Sequence, residues 1–171
     1  MFAKGDFVFY ASGGICRVED IQRAPLPGMP EDRTYYILRS LHDANGISYL
    51  PTDCTTVFLR PILTAEEAER FLNEASGVET IEAPDAKILR SNYQEAMRKY
   101  QPGEWFRVIK TVRERAARIG ENSKPIKLSE TERTFGEEAK KFLYTELSLA
   151  LRLTEAQIEE CLFESGNQKA E

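Results

Sequence analysis

Thiol and imidazole groups are frequent centres of protein chemistry, and this sequence contains few of them. It has three cysteines, Cys16, Cys54 and Cys161, and a single histidine, His42. The cysteines lie far apart and form no CxxC pair, so their spacing supports neither a zinc ribbon nor a disulfide framework. We interpret them as free thiols in a reducing compartment and expect no metal site.

Catalytic and phosphate-binding motifs are also missing from the sequence. It contains no GxGxxG, P-loop, HExxH or GxSxG pattern, and His42 falls in a predicted turn without a nucleophile motif around it. The carboxylates lie mostly at solvent-facing helix positions, where ion pairs account for them. We therefore expect a protein without enzymatic activity, catalytic residues, cofactor or small-molecule substrate.

The distribution of charge points to one segment as a candidate nucleic-acid surface. The 171-residue chain is 42% hydrophobic and 30% charged, with a net charge of −5, which argues against binding nucleic acid or membranes by bulk charge. Residues 85–141, however, hold fourteen basic side chains against nine acidic ones. This middle segment is the only candidate for a phosphate-facing surface.

No apolar run approaches the roughly 18 residues needed to span a bilayer. The N-terminus also lacks the apolar core of a signal peptide. We therefore expect a cytoplasmic protein without a membrane partner.

The first part of the chain has the pattern of short strands. Apolar and β-branched runs at 7–10, 15–18, 34–38 and 47–50 are separated by turn residues. Asn45-Gly46 is typical of a type I′ hairpin turn, in which both central residues have positive φ. Four or five short strands bury one face only by curling, so the sequence predicts a small β-barrel over residues 1–62.

Helical periodicity begins after Pro61. Thr64–Glu67, Ser129–Glu132 and Thr154–Gln157 have the sequence of capping boxes, and Asp85 is a further helix-capping residue. The predicted helices end near Gly77, Tyr100, Ile119, Leu151 and Phe163. The sequence thus predicts an α+β protein in which a bundle of about five helices, residues 63–171, follows the barrel.

Several short segments occur in an order and at a spacing that together resemble the CarD family of bacterial transcription regulators. In the N-terminal half these are Phe2–Tyr10, Gly13–Val18, Tyr35–Leu38 and Tyr49–Pro51. In the helical half they are Tyr93, Pro102–Glu104, Val108, Val112, Leu128–Ser129 and Glu146–Ala150. The resemblance covers residues 2–151.

The resemblance implies a Tudor-like barrel that binds the β subunit of RNA polymerase. It also implies a helical domain that contacts promoter DNA at the upstream edge of the transcription bubble. Members of this family have no catalytic activity and change the stability of the open promoter complex. Such a barrel supplies the tether that a weak basic patch requires, because tethering raises the effective concentration of DNA.

The resemblance also implies two sets of site residues. The polymerase-binding set lies on an exposed strand edge around Ile47 to Pro51, next to a second segment, and comprises Gln22, Arg23, Ala24, Ile47, Ser48, Tyr49, Leu50 and Pro51. The DNA-binding set comprises Lys87, Leu89, Arg90, Lys99, Arg133, Lys140 and Lys141.

This sequence differs from the family pattern in two respects, one in the helical half and one on the polymerase face. The tryptophan that family members insert into the minor groove falls at Leu89, and the only tryptophan, Trp105, lies on a core-facing helix and is interpreted as a core residue. Leu89 either keeps a weaker wedge role or starts the apolar stripe continued by Tyr93, Ala96 and Tyr100. On the polymerase face, basic side chains of the family fall near Ala24 and at Tyr49.

Two other functions remain open from the sequence. The first is a protein-binding module whose helices form a second protein interface without touching DNA. The second is RNA binding by the aromatic side chains of the barrel. These are Phe7, Phe9, Tyr10, Tyr35, Tyr36 and Tyr49.

Overall fold

The structure is a computed structural model that describes residues 1–119 and 128–164. Within these residues five β-strands precede five α-helices, which confirms the α+β class. The chain divides into two units, a sheet unit Met1–Ile62 and a helical unit Leu63–Glu171.

The sheet unit is one antiparallel sheet. Its strands are β1 (Phe7–Tyr10), β2 (Gly14–Arg23), β3 (Thr34–Ser40), β4 (Ile47–Pro51) and β5 (Leu59–Pro61). The strand order β4-β3-β2-β1-β5 places β4 and β5 at the two edges. The predicted barrel is therefore a partial one, because the sheet curls without closing.

A β-bulge and a hydrophobic core give the sheet its curvature. The pairing of β2 with β3 shifts register between Val18 and Asp20, and the side chain of Glu19 at this bulge accepts hydrogen bonds from Arg39. Bulges bend the strand that carries them. The hydrophobic core of the sheet unit contains Val8, Cys16, Val18, Tyr36, Leu38 and Leu50.

The hairpin between β3 and β4 forms as predicted, but the prediction of a type I′ turn at Asn45-Gly46 is wrong. Neither Asn45 nor Gly46 has positive φ. The connection is longer, covering residues 41–46, and Asp43 organises it: its carboxylate accepts the Asn45 N–H at 3.0 Å, and its carbonyl accepts the Gly46 N–H at 2.9 Å. The glycine is needed for close packing rather than for its backbone conformation.

Substitution of Gly46 tests this explanation. A Cβ atom at this position would lie 3.0 Å from Cβ of Ser40 and 3.2 Å from the carbonyl oxygen of Asp43. We expect Gly46→Ala to lower the free energy of unfolding by about 1–3 kcal/mol, measured by urea denaturation. Gly77→Ala is the control, since a Cβ there meets nothing within 4 Å. Equal stabilities of the two variants would contradict the close-packing explanation.

The helical unit follows the predicted capping residues. Its helices are α1 (Ala65–Glu74), α2 (Ala86–Arg98), α3 (Pro102–Ile119), α4 (Glu130–Leu151) and α5 (Glu155–Phe163), and a short 3₁₀ turn, Ala75–Gly77, follows α1. Thr64, Ser129 and Thr154 each form a capping box. Helix α3 starts at Pro102, because proline suits the first turn of a helix, where no N–H is needed.

Aromatic side chains fill the core of the helical unit. Trp105 is 0% exposed and its ring lies 5.4 Å from that of Phe142, measured between centroids. Tyr93 is also fully buried and packs against Phe135. The interpretation of Trp105 as a core residue is confirmed.

Candidate interaction surfaces

The edge strand β4 presents backbone hydrogen-bonding groups away from the sheet. Ser40 N–H donates to the Gly46 carbonyl and Thr52 N–H to the Thr34 carbonyl. Hydrogen-bonded pairs alternate along an antiparallel ladder. The backbone N–H and C=O groups of the even-numbered residues of β4 therefore face β3. The backbone groups of Ile47, Tyr49 and Pro51 therefore point outward.

These three residues are not equivalent. Ile47 N–H donates to the Asn45 carbonyl at 3.1 Å, and Pro51 has no N–H. Tyr49 presents both an outward donor and an outward acceptor. A strand added to this edge would therefore pair around Tyr49.

The side chains of β4 divide between the two faces of the sheet. Ile47 is 40% exposed, and Ser48, Tyr49 and Pro51 are half-buried. Leu50 is buried in the core, so its side chain does not reach the surface expected to bind polymerase. Within β4, the side chains of Ile47, Tyr49 and Pro51 offer apolar contact area beside the edge.

The second polymerase-binding segment does not lie directly next to β4. Gln22 pairs with Tyr35 of β3, and Tyr35 pairs with Pro51, so β3 separates the two segments by two strand spacings, about 10 Å. Arg23 and Ala24 follow at the end of β2, and Ala24 has φ of +35°. The expected adjacency of these segments is wrong, although both belong to one sheet.

Burial limits the aromatic surface that the sheet unit offers for stacking on bases. Phe9, Tyr35 and Tyr36 are at most 6% exposed. The hydroxyl oxygen of Tyr36 accepts a hydrogen bond from the Phe2 N–H at 3.1 Å, which fixes the Tyr36 ring in place. Burial therefore removes half of the six aromatic residues on which RNA binding would depend.

The start of α2 carries an exposed apolar side chain between basic ones. Lys87 and Arg90 are exposed, and neither forms an ion pair within residues 1–119 and 128–164. Ile88 is 42% exposed, whereas Leu89 is 6% exposed and belongs to the buried face with Tyr93. Of the two roles considered for Leu89, its burial favours the second, in which it starts the apolar stripe and packs into the helical unit. The sequence analysis did not identify Ile88, although the helical spacing of Leu89, Tyr93 and Ala96 places Ile88 outside the buried face of α2.

The other predicted DNA-binding residues are not gathered on this face of α2. Lys99 forms an ion pair with Glu104 at 3.4 Å. Arg133, Lys140 and Lys141 line an open groove on α4 whose other charged residues are Glu130, Glu137, Glu138 and Glu155. Acidic side chains therefore balance the basic ones along α4, which makes this groove a poor surface for phosphates.

The basic residues of α3 bind within the helical unit. Lys110 Nζ donates to the Val78 carbonyl at 2.6 Å, and Arg107 Nε to the Glu79 carbonyl at 3.3 Å. Arg113 pairs with Glu159. These contacts engage three of the fourteen basic side chains that the sequence count assigned to a phosphate-facing surface.

An ion pair between a half-buried arginine and a buried glutamate joins α3 to the start of α4. Glu132 is 7% exposed, and its carboxylate accepts hydrogen bonds from Arg115 Nε at 2.5 Å and from Ser129 N–H at 3.0 Å. Burial acts to raise the pKa of Glu132, but the hydrogen bonds from Ser129 and Arg115 outweigh it and hold this pKa below its ordinary value. Burial and the Glu132 charge also raise the pKa of Tyr93 to about 12.

The three cysteines are free thiols, and Cys16 is buried. Burial raises the pKa of the Cys16 thiol to about 11, which keeps it protonated. In the part of the chain that the structure describes, no group of three metal-ligating side chains comes together. Among those same residues, no helix has the length and apolar character needed to cross a membrane.

Comparison with known families assigns both units. A family model described as CarD-like/TRCF RID domain matches residues 2–63, which include all five strands. A second model, described as CarD, C-terminal domain, matches residues 79–163, which include α2 to α5. No curated protein matches the chain. The two matches occur in the family's order, and the chain therefore belongs to the CarD family, transcription factors that interact with RNA polymerase.

Proposed function

We propose that the chain is a non-catalytic regulator that binds the RNA polymerase β subunit through β4 and promoter DNA through α2. By holding DNA at the upstream edge of the transcription bubble, it changes the stability of the open promoter complex. The observation that carries this proposal is the exposed edge of β4, centred on Tyr49, in a domain that matches the RID model.

Strand addition is the binding mode that this edge supports. An extended segment of the β subunit pairs with the outward N–H and carbonyl of Tyr49, which gives affinity through main-chain hydrogen bonds. The partly exposed side chains of Ile47 and Tyr49 then contact the partner beside the edge. This mode does not require the basic side chains that other family members have near Ala24 and at Tyr49.

The first turn of α2 is the part of the helical unit best suited to DNA. Lys87 and Arg90 supply positive charge for two phosphates, and Ile88 lies between them in sequence. Apolar side chains of this kind insert between base steps in the minor groove. We assign to Ile88 the wedge role that the family resemblance implied for Leu89.

Open-complex lifetime is the decisive measurement for the proposal. The full chain is added to polymerase of the same organism on a promoter, and the decay of competitor-resistant complexes is followed with and without it. We expect an altered lifetime together with a footprint at the upstream edge of the bubble. An altered lifetime without that footprint would favour the protein-binding alternative, in which the helical unit contacts protein instead of DNA.

A pair of neighbouring alanine variants separates the roles of Ile88 and Leu89. Ile88→Ala should reduce the change in open-complex lifetime about three- to tenfold, with an unfolding free energy within about 0.5 kcal/mol of wild type. Leu89→Ala should cost about 2–4 kcal/mol of stability, because it leaves a cavity in the helical unit. If Ile88→Ala retains the full effect on lifetime, the wedge assignment fails.

The salt dependence of promoter binding tests the choice of α2 over α4. Lys87→Ala should reduce the slope of log affinity against log salt by about one unit, since one phosphate contact is lost. Lys140→Ala serves as the control, because Lys140 lies over the ring of Tyr144 in a groove with four carboxylates. A larger change for Lys140→Ala would move the DNA surface to α4.

A further inference from the structure

An ionisable side chain is fully buried in the middle of α4. Glu146 is 0% exposed, and its Oε1 atom accepts the backbone N–H of Leu63 at 2.9 Å. A buried carboxylate is costly unless hydrogen bonds compensate for its lost hydration. A leucine at this position would avoid that cost. The presence of a buried glutamate therefore needs an explanation.

Leu63 is the residue at which the chain enters the helical unit. The preceding residue, Ile62, donates its N–H to the Phe7 carbonyl at 3.4 Å inside the sheet unit. The following residue, Thr64, is the N-cap of α1. Ile62 is thus bonded within the sheet unit, and Leu63 is bonded within the helical unit.

We propose that Glu146 is a positioning residue that fixes the entry of the chain into the helical unit. It acts through Leu63, and it makes the polymerase tether formed at β4 effective at the DNA surface of α2. This inference rests on the proposed function. A flexible linker lets a tethered group explore a larger volume, which lowers its effective concentration at the second site. A linker whose end is fixed by a hydrogen bond reduces this loss.

Hydrogen exchange of the Leu63 amide in the full chain tests the anchor itself. Glu146→Leu fills the space without an acceptor, and we expect Leu63 N–H to exchange about tenfold to a hundredfold faster. Glu146→Gln keeps an acceptor oxygen and should restore most of the protection. Ser148→Ala, on the same helix, is the matched control and should leave this exchange rate unchanged. Unchanged exchange in Glu146→Leu would overturn the proposal.

Open-complex lifetime tests the consequence of the anchor. Glu146→Leu should lose most of the effect on lifetime while keeping its affinity for polymerase, and Glu146→Gln should retain the effect. Insertion of two glycines between Ile62 and Leu63 adds slack without altering α4, and should cause the same loss even if Glu146→Leu does not fold. Full activity of the insertion variant would overturn the proposal. A wild-type chain without any effect on lifetime would instead show that the proposed function is wrong.

Discussion

Tyr49→Pro should lower the affinity of the full chain for RNA polymerase about a hundredfold, which corresponds to about 3 kcal/mol. Proline removes the outward N–H donor of the β4 edge and leaves an acceptor of the partner strand without its hydrogen bond. The fold should tolerate the change, because this N–H does not face β3 and proline is accepted on edge strands. Titration of labelled polymerase with the variant measures the loss.

Two further substitutions at the same position separate backbone from side chain. Tyr49→Phe keeps the N–H and the ring and should bind nearly as well as wild type. Tyr49→Ala keeps the N–H but loses the ring, and should weaken binding by about 1–3 kcal/mol if the ring is an interface anchor. Polymerase binding by Tyr49→Pro with wild-type affinity would exclude strand addition at β4.

Glu132→Ala should be the most destabilising substitution at the start of α4, costing about 1–3 kcal/mol of unfolding free energy. It leaves the Arg115 guanidinium without its buried carboxylate and removes the side-chain acceptor of Ser129 N–H. Urea denaturation gives the value. Glu130→Ala changes an exposed glutamate in the same turn and should cost less than about 0.5 kcal/mol. Similar losses for both variants would mean that the ion pair contributes nothing beyond the first-turn charge.

The same carboxylate predicts a dependence of stability on pH. The pKa of Glu132 in the folded protein lies below its ordinary value of 4.5, so the unfolded chain takes up the proton first. The stabilisation is therefore complete above the ordinary pKa and is lost as the pH falls below it. Glu132→Gln should reduce the fall of the unfolding free energy with decreasing pH in this range. An unchanged slope would contradict the attribution of this fall to Glu132.

The helix boundaries were predictable because their signals are local. A capping box requires two side chains three residues apart, and the three predicted from the sequence, beginning at Thr64, Ser129 and Thr154, open helices in the structure. The Asn45-Gly46 turn was predicted from an equally local signal and was wrong. Asp43 forms hydrogen bonds to both residues and stabilises a longer connection, which the dipeptide alone does not reveal.

The candidate site was less predictable because it depends on packing between distant residues. Ile88 and Leu89 are adjacent and both apolar, and only the contacts of α2 show which one is buried. The net charge of the middle segment was equally ambiguous. Lys110 and Arg107 bind backbone carbonyls more than 25 residues away in sequence, and no count of charges shows that they are engaged.

The edge of β4 also bears on how the protein behaves at high concentration. Unprotected edges invite copies of a chain to stack into fibrils, which requires a continuous row of donors and acceptors. Here the row is interrupted on both sides of Tyr49, by the internally bonded N–H of Ile47 and by Pro51. The strand is therefore long enough to receive a short segment of one partner, yet too discontinuous to propagate an aggregate.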